Sequence, residues 1–126
     1  MPRKIVRAPE NAATSPYYSA ATKAAGFVFV SGQGPWDPVR GAFAGENIEE
    51  QTELTLQSLQ RVLQEAGCGL ADVVKVHVHL RDLGDFDRFN QVYVRYFPSP
   101  APARTTVGSE TGDIMIEIDA IAFAGP

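Results

Sequence analysis

Apolar residues recur at helical spacing in the segment that follows Asn47. The members of this stripe are Ile48, Leu56, Leu59, Leu63 and Ala66. Asn47 and Glu50 have the spacing of a capping box at the start of a helix, and Gly67 supplies a stop signal at its end. The pattern therefore predicts a helix between Asn47 and Gly67 with one apolar face.

A second helical pattern follows Asp85 in the segment FDRFNQVYVRYF. Its aromatic residues Phe86, Phe89, Tyr93 and Phe97 fall on one side of a helix. We expect Asp85 to act as the N-cap and the proline-rich segment 98–103 to end the helix.

Alternation of apolar and polar residues predicts β-strands elsewhere. VVKVHVHL at 73–80 places Val74, Val76, Val78 and Leu80 on one face and Lys75, His77 and His79 on the other. IMIEIDAIAF at 114–123 places Ile116, Ile118, Ala120 and Ala122 on one face and Met115, Glu117, Asp119, Ile121 and Phe123 on the other. FVFVS at 27–31 and ARTTVG at 103–108 are also typical of strands. The first dozen residues are compatible with a mobile arm or with an extra edge strand.

The order of these elements is strands, helix, strand, helix, strands. Each helix has a single apolar stripe, so both helices are expected to pack on one face of a mixed or antiparallel sheet. This is an α+β fold. The length of 126 residues suits one domain, and no boundary or repeat divides residues 1–126.

Charge and composition exclude several classes of function. The formal net charge is -4, and the eleven Lys and Arg residues are scattered, so nucleic acid is not expected as a partner. The apolar run FVFV is far too short to span a bilayer, and no membrane association is expected. A single cysteine, Cys68, allows no internal disulfide. The prediction is a soluble cytoplasmic protein.

Two motifs that suggest a metal or a nucleotide are incomplete. His77 and His79 share a strand face at a spacing that can chelate zinc, but the sequence offers no obvious third ligand, so we expect no metal. Gly32-x-Gly34 lacks the third glycine of a dinucleotide fingerprint, and no cofactor is expected there. The two glycines indicate a tight turn whose backbone passes close to another group, which makes Ser31, Gly32 and Gln33 candidate ligand contacts.

Arg104, Glu117 and Asp119 are charged residues in segments that otherwise resemble buried strands. If the face that carries the two carboxylates is solvated, they are ordinary surface charges. If a partner subunit covers that face, they need a cation, a hydrogen bond or a proton. The planar guanidinium of Arg104 suits bidentate binding of a carboxylate. The residues thus offer a carboxylate clamp and a nearby acid without a metal, a cofactor or a Ser-His-Asp motif.

Six segments together resemble the reactive intermediate deaminase (Rid, also called YjgF) family over nearly the whole chain. They are YSAATKA, FVFVSGQ, LQEAGCGLADVVKV, LRDLGDFDRFNQVY, PARTTVG and IEIDAIA. The pair formed by P-A-R and the later I-E-I is the most specific. The resemblance implies a chorismate-mutase-like α+β fold and a homotrimer with active sites between subunits. It also implies cofactor-independent hydrolysis of 2-imino acids, the tautomers of 2-aminoacrylate and 2-aminocrotonate, to 2-oxo acids and ammonia.

The resemblance also implies roles for individual residues. Arg104 matches the arginine that grips the substrate carboxylate, and Glu117 matches the glutamate that orients the attacking water. The remaining matched positions are the site tyrosine, Tyr18, the serine and glycine of SGQ, Ser31 and Gly32, and the asparagine of the second helix, Asn90.

The chain departs from the family pattern at four places, which leaves the preferred substrate side chain open. SPYY replaces the usual GPY, so Tyr17 competes with Tyr18 for the tyrosine role, and Thr106 stands where cysteine is common. The connection at 98–103 is short, and Trp36 is placed to fill part of the pocket.

Three further functions compete with imine hydrolysis. One is the deamination of a larger enamine in a catabolic pathway, of the aminomuconate or aminoacrylate type. Another is a non-catalytic module that binds a small carboxylate. The last is RNA cleavage, which the acidic charge balance and the absence of a basic stripe disfavour.

Overall fold

The computed structural model of the protein describes residues 2–126. It contains a six-stranded sheet in the order β1-β2-β3-β8-β6-β7, a separate two-stranded hairpin, and two helices. The strands are β1 (Lys4–Val6), β2 (Ala21–Ala24), β3 (Phe27–Gln33), β4 (Trp36–Asp37), β5 (Ala42–Phe43), β6 (Val73–Leu80), β7 (Ala103–Gly108) and β8 (Ile116–Phe123). The helices are α1 (Ile48–Glu65) and α2 (Phe86–Tyr96).

The sheet is mixed, because β6 and β7 run parallel and every other pair in it is antiparallel. Helix α2 connects the two parallel strands, since parallel neighbours need a crossover rather than a tight turn. β7 is an edge strand, and at the other edge β1 pairs with β2. The N-terminal segment therefore contributes an edge strand, one of the two alternatives that the sequence left open.

One face of the sheet forms the core with both helices, as the alternating pattern predicted. The inward residues of β8 are Ile116, Ile118, Ala120 and Ala122, and all four are buried. Leu56, Leu59 and Leu63 of α1 and Phe89, Val92 and Tyr93 of α2 pack over this face or beside it and are buried as well. The predicted α+β fold with two helices on one face is confirmed.

The N-terminal cap of α1 is also confirmed. Asn47 Oδ1 accepts a hydrogen bond from the backbone N–H of Glu50 at 2.9 Å, and Asn47 Nδ2 donates to Glu50 Oε2 at 2.9 Å. At the other end of α1, Lys23 Nζ donates to the carbonyl oxygen of Ala66 at 3.1 Å, which satisfies an acceptor that the helix leaves free.

One local prediction was wrong, and another was correct in position only. Val74 was expected on the buried face of β6, but it is 45% exposed and Val73 is buried, because the pairing with β8 shifts register between Val73 and Lys75. Asp85 lies at the N-cap position of α2 without a side-chain hydrogen bond. Asp82 instead accepts a bond from the backbone N–H of Gly84 at 2.8 Å and stabilises the short 3₁₀ turn that precedes the helix.

No helix of residues 2–126 packs on the opposite face of the sheet, here called the open face. Its apolar part contains Phe27, Phe29 and Phe123, which are all about two-fifths exposed, and the rings of Phe27 and Phe123 lie 4.9 Å apart. Its polar part contains Lys75, His77, His79, Glu117 and Asp119. Within residues 2–126, neither helix is both long and apolar enough to cross a membrane.

Candidate functional site

Tyr18, Gly32 and Glu117 line one cavity of about 140 Å³, here called the Glu117 cavity. It lies where β3 ends and β8 begins, and the segment between Pro9 and Tyr18 forms another of its walls. Tyr17 is 91% exposed and does not line this cavity. Of the two adjacent tyrosines, the structure therefore places Tyr18 beside Glu117.

Gly32 is in close contact with the Glu117 side chain. A Cβ atom added to Gly32 would lie 2.7 Å from Glu117 Cδ and 2.9 Å from Glu117 Oε2, which is closer than real Cβ contacts come. The pairing of β3 with β8 is irregular between Val30 and Gln33, and this irregularity includes Gly32. The predicted close approach of the Gly32 backbone is confirmed, and the group it approaches is a carboxylate.

Ser31 holds the segment that carries Tyr18. Its Oγ donates a hydrogen bond to the carbonyl oxygen of Ser19 at 2.6 Å, and its backbone N–H donates to the carbonyl oxygen of Ala20 at 3.0 Å. Because the only proton of the hydroxyl is already donated, Ser31 Oγ offers a ligand an acceptor alone. Ser31 is not among the residues that line the Glu117 cavity.

The two carboxylates of β8 have different surroundings. Asp119 lies between two histidines, with Oδ1 3.4 Å from His77 Nδ1 and Oδ2 3.5 Å from His79 Nε2. Glu117 forms no ion pair with any residue of the described chain. The Glu117 carboxylate is therefore the one available to a ligand or a water molecule.

Ser109 extends the cluster around Asp119, because its Oγ lies 2.8 Å from His79 Nδ1. Ser109, His79 and Asp119 form a Ser-His-Asp grouping that the sequence analysis missed, since residues 79, 109 and 119 lie on three different strands or strand ends. None of the three lines the Glu117 cavity. In the part of the chain that the structure describes, no three His, Cys, Asp or Glu residues are arranged to hold a metal ion.

Arg104 lies on β7 above an aromatic surface of α2. Its guanidinium carbon is 4.6 Å from the ring centre of Tyr93, 5.2 Å from that of Phe89 and 5.7 Å from that of Phe86. These are cation–π distances. Arg104 forms no ion pair between residues 2 and 126, so its charge lacks an acidic partner within the chain. We call this group of residues the Arg104 edge.

Asn90 belongs to the same edge by its position on α2. It follows Phe86 by four residues and precedes Tyr93 by three, so the three side chains share one side of the helix. Tyr93 Oη and Thr106 Oγ1 are buried and have no hydrogen-bond partner among the described residues. Burial raises the pKa of the Tyr93 hydroxyl, and the positive charge of Arg104 opposes that rise, as does the approach of its guanidinium N–H groups to the hydroxyl, which falls short of hydrogen-bond geometry.

Arg104 and Glu117 point to opposite faces of the sheet. Arg104 is in register with the buried Val76, and Glu117 is in register with His79 of the open face. Residues in register on neighbouring strands project to the same side, so β6 acts as the reference for both. One chain therefore does not bring its own Arg104 and Glu117 together. The predicted site residues instead form two groups on opposite faces, the Glu117 cavity and the Arg104 edge, which are called the two half-sites below.

Sequence reasoning missed most of the residues that line the Glu117 cavity. Trp36 was expected to fill part of the pocket, and it does line the cavity, together with Phe43, Ile114 and Val62. Trp36 Nε1 donates to the carbonyl oxygen of Asn11 at 2.7 Å and so fixes the N-terminal segment against the hairpin. The two glycines of the sequence Gly32-x-Gly34 predicted a tight turn, but nothing in the sequence indicated the hairpin that follows or which side of it faces the cavity.

The chain is similar to known proteins along almost all of its length. The family profile described as Endoribonuclease L-PSP matches residues 7–124. A RutC family protein of Pyrococcus abyssi is 44% identical over 108 residues, which cover 84% of this chain and 85% of that one. The chloroplastic Reactive Intermediate Deaminase A of Arabidopsis thaliana is 41% identical over 107 residues, which cover 83% of this chain and 57% of that protein.

Solved structures agree with this assignment of the fold. The crystal structure of yeast Mmf1 superposes with a TM-score of 0.84 at 35% identity and covers 99% of this chain and 98% of its own. The structure of Escherichia coli TdcF with bound serine superposes with a TM-score of 0.83 at 32% identity and covers 97% and 99%.

Proposed function

The chain belongs to the Rid (YjgF) family, and from this premise we propose that it is an imine deaminase. The reaction is the hydrolysis of 2-imino acids, or of enamine tautomers such as 2-aminoacrylate and 2-aminocrotonate, to 2-oxo acids and ammonia. It needs no cofactor, because a protonated imine is already electrophilic.

The unpaired carboxylate of Glu117 is the observation that carries this proposal. Water adds to the imine carbon while Glu117 accepts one of the water protons. Glu117 then returns this proton to the carbinolamine nitrogen, the carbon–nitrogen bond breaks as the carbinolamine hydroxyl gives its proton to Glu117, and ammonia and the 2-oxo acid are released. The absence of a side chain at Gly32 lets the carboxylate lie close to the backbone, and in this mechanism Tyr18, which lines the same cavity, hydrogen-bonds the reacting groups.

In this proposal the substrate binds between two copies of the chain, the Arg104 edge of one and the Glu117 cavity of the other. Arg104 of one subunit binds the substrate carboxylate through its planar fork, with Asn90 beside it, and Glu117 of the next subunit directs the water. The separation of the two half-sites on opposite faces supports this arrangement. So does the uncovered apolar part of the open face, which a partner would bury.

A cyclic homotrimer fits this arrangement. An interface that joins two different faces of identical chains is heterologous, and repeated rotation closes it into a ring. Three copies then provide three equivalent sites, each made by two chains. The serine bound in the TdcF structure is a small amino acid with a carboxylate, which is the kind of ligand that this composite site is proposed to bind.

The direct test is a coupled assay in which a pyridoxal-phosphate-dependent dehydratase generates the imine. We expect the protein to accelerate the appearance of the 2-oxo acid, and Glu117→Gln to abolish the acceleration. Glu65→Gln is the matched control, because Glu65 is exposed at the end of α1, away from the cavity. A time course that the wild-type protein leaves unchanged would contradict the function.

Three further measurements distinguish the alternative functions from imine hydrolysis. A deaminase of a larger enamine would leave the small imines untouched and act on the larger compound. A non-catalytic module would bind 2-oxobutanoate in calorimetry without changing any rate. RNA cleavage would appear as degradation of a labelled single-stranded RNA that Glu117→Gln abolishes.

A further inference from the structure

The Ser-His-Asp grouping on the polar part of the open face has no role in the imine hydrolysis proposed above. Ser109 Oγ lies 2.8 Å from His79 Nδ1, which is a hydrogen-bond distance. On the other side of the same ring, His79 Nε2 lies 3.5 Å from Asp119 Oδ2. One imidazole therefore connects a hydroxyl group to a carboxylate, and this is the arrangement that activates a serine as a nucleophile.

The carboxylate of Asp119 selects the tautomer of His79. An ionised carboxylate beside Nε2 favours the proton on that nitrogen, which leaves Nδ1 as an acceptor. The hydrogen bond between Ser109 and His79 is then donated by the hydroxyl group. The two ring nitrogens exchange the roles that they have in serine proteases, but either nitrogen of a neutral imidazole can act as the base.

A second histidine contacts the same carboxylate but not the serine. His77 Nδ1 lies 3.4 Å from Asp119 Oδ1, so each oxygen of Asp119 has one histidine beside it. Of the two histidines, His79 alone is hydrogen-bonded to Ser109. His77 therefore offers a comparison within the same cluster.

A small molecule can reach this cluster. The side chains of His79 and Asp119 are 31% and 35% exposed, and Ser109 is half-buried. Val107 is in register with His79, is 40% exposed and provides an apolar surface on the same face. A short apolar acyl group can lie on Val107 while its carbonyl carbon meets Ser109 Oγ.

The loop after Ser109 offers a donor for the negative charge that develops on an attacked carbonyl oxygen. The backbone N–H of Ser109 is engaged, because it donates to the carbonyl oxygen of Leu80 at 3.0 Å. The next N–H, that of Glu110, donates to no carbonyl oxygen within the described chain. In α/β-hydrolases the N–H of the residue after the nucleophile stabilises the oxyanion, and Glu110 holds that position here.

From this geometry we propose that Ser109 is the nucleophile of a second catalytic site, which cleaves activated esters of short carboxylic acids. Ser109 Oγ bonds to the carbonyl carbon while its proton passes to His79 Nδ1, and the ester bond breaks as His79 gives this proton to the departing alcohol or phenol. Water then attacks the acyl-serine with His79 again as the base, and the carboxylic acid and Ser109 are released. This activity does not depend on the proposed imine hydrolysis.

The test uses p-nitrophenyl acetate and the full chain. We expect release of p-nitrophenol above the rate in buffer, and mass spectrometry after a short incubation should find an acetyl group on the peptide that contains Ser109. Ser109→Ala should remove the acetyl group and lower the rate at least about 10-fold, while imine hydrolysis stays unchanged. Ser99→Ala is the control, because Ser99 is an exposed serine between α2 and β7 and should leave both signals as they are.

Variants of the two histidines distinguish a base from a structural contact. His79→Ala should slow ester cleavage as much as Ser109→Ala does, and added imidazole should raise its rate at least about 5-fold by replacing the missing base. The double variant of His79→Ala and Ser109→Ala corrects for the reaction of imidazole in solution. His77→Gln should slow cleavage far less. Acetylation of other residues while Ser109 stays unmodified, or an unchanged rate of Ser109 acetylation in His79→Ala, would overturn the proposal and leave the deaminase function standing.

Discussion

The Glu117 cavity and the Arg104 edge are built in opposite ways. Glu117 is an anion held by a steric fit against a glycine backbone, and Arg104 is a cation held by aromatic rings. Neither has a partner of opposite charge within the described chain. In the proposed function the two half-sites together match one small molecule, because an imino acid has a carboxylate at one end and an electrophilic iminium group at the other.

The strongest way to test this comparison is to remove the base from the Glu117 cavity. Glu117→Gln keeps the shape and removes the proton acceptor, so turnover should fall about 10²- to 10⁴-fold while 2-oxobutanoate binds nearly as before. Stopped assays and calorimetry measure the two quantities. Asp119→Asn is the comparison on the same strand face, and its turnover should fall far less because Asp119 already contacts two histidines. Full activity in Glu117→Gln would show that the reaction does not take place in this cavity.

Substitutions of Arg104 are expected to weaken binding of the substrate carboxylate. Arg104→Ala should weaken binding of 2-oxobutanoate by about 2–5 kcal/mol, because a charge-assisted bidentate contact disappears. Arg104→Lys should recover little, since an ammonium group lacks the planar fork. Calorimetry with each purified variant checks both. Unchanged affinity in Arg104→Ala would show that the carboxylate binds elsewhere.

Mixing the two inactive variants tests whether the half-sites come from different chains. In trimers formed from equal amounts of Arg104→Ala and Glu117→Gln chains, about a quarter of the composite sites receive both wild-type residues. Activity should therefore return to roughly a quarter of the wild-type value. A site built within one chain would stay inactive in every mixture, and a stable monomer in light scattering would contradict the arrangement independently.

The sequence predicted those features of the half-sites that are set within one strand, but not those that are set by pairing between strands. Alternation within a single strand placed Glu117 and Asp119 together on one face of β8, and the structure confirms it. Val74 was placed wrongly because the register shift in β6 is a property of its pairing with β8 and leaves no signal in the local pattern.

The placement of Arg104 and Glu117 on opposite faces of the sheet was not predictable from the pattern of any single strand. It depends on the register of three neighbouring strands, β7, β6 and β8, which are far apart in the chain. The contact of Gly32 with Glu117 and that of Gly34 with Ile114 are also long-range packing. Composition and periodicity report which face a residue occupies, but not which residue of another strand lies opposite.

A smaller change in the Glu117 cavity tests the position of the Glu117 carboxylate separately from its ability to accept a proton. Gly32→Ala adds a methyl group 2.7 Å from Glu117 Cδ, so the carboxylate must move although its chemical identity is unchanged. We expect turnover to fall about 10- to 100-fold, because a misplacement of about 1 Å is enough to disrupt alignment with the reacting atoms. Gly69→Ala is the control, since an added Cβ there meets nothing within 4 Å. Equal activity in the two variants would mean that the close contact has no role in turnover.

The smallest effect is expected from the aromatic surface below Arg104. Tyr93→Leu removes the ring nearest to the guanidinium and should weaken 2-oxobutanoate binding about 3- to 10-fold, since a partly buried cation–π contact contributes about 0.5–2 kcal/mol. Tyr93→Phe keeps the ring and removes a buried hydroxyl that has no hydrogen-bond partner among the described residues, so neither binding nor thermal stability should decrease. Calorimetry and thermal unfolding of both variants check this pair. If Tyr93→Phe weakened binding as much as Tyr93→Leu, the hydroxyl rather than the ring would hold Arg104, and a hydrogen bond instead of stacking would position the guanidinium.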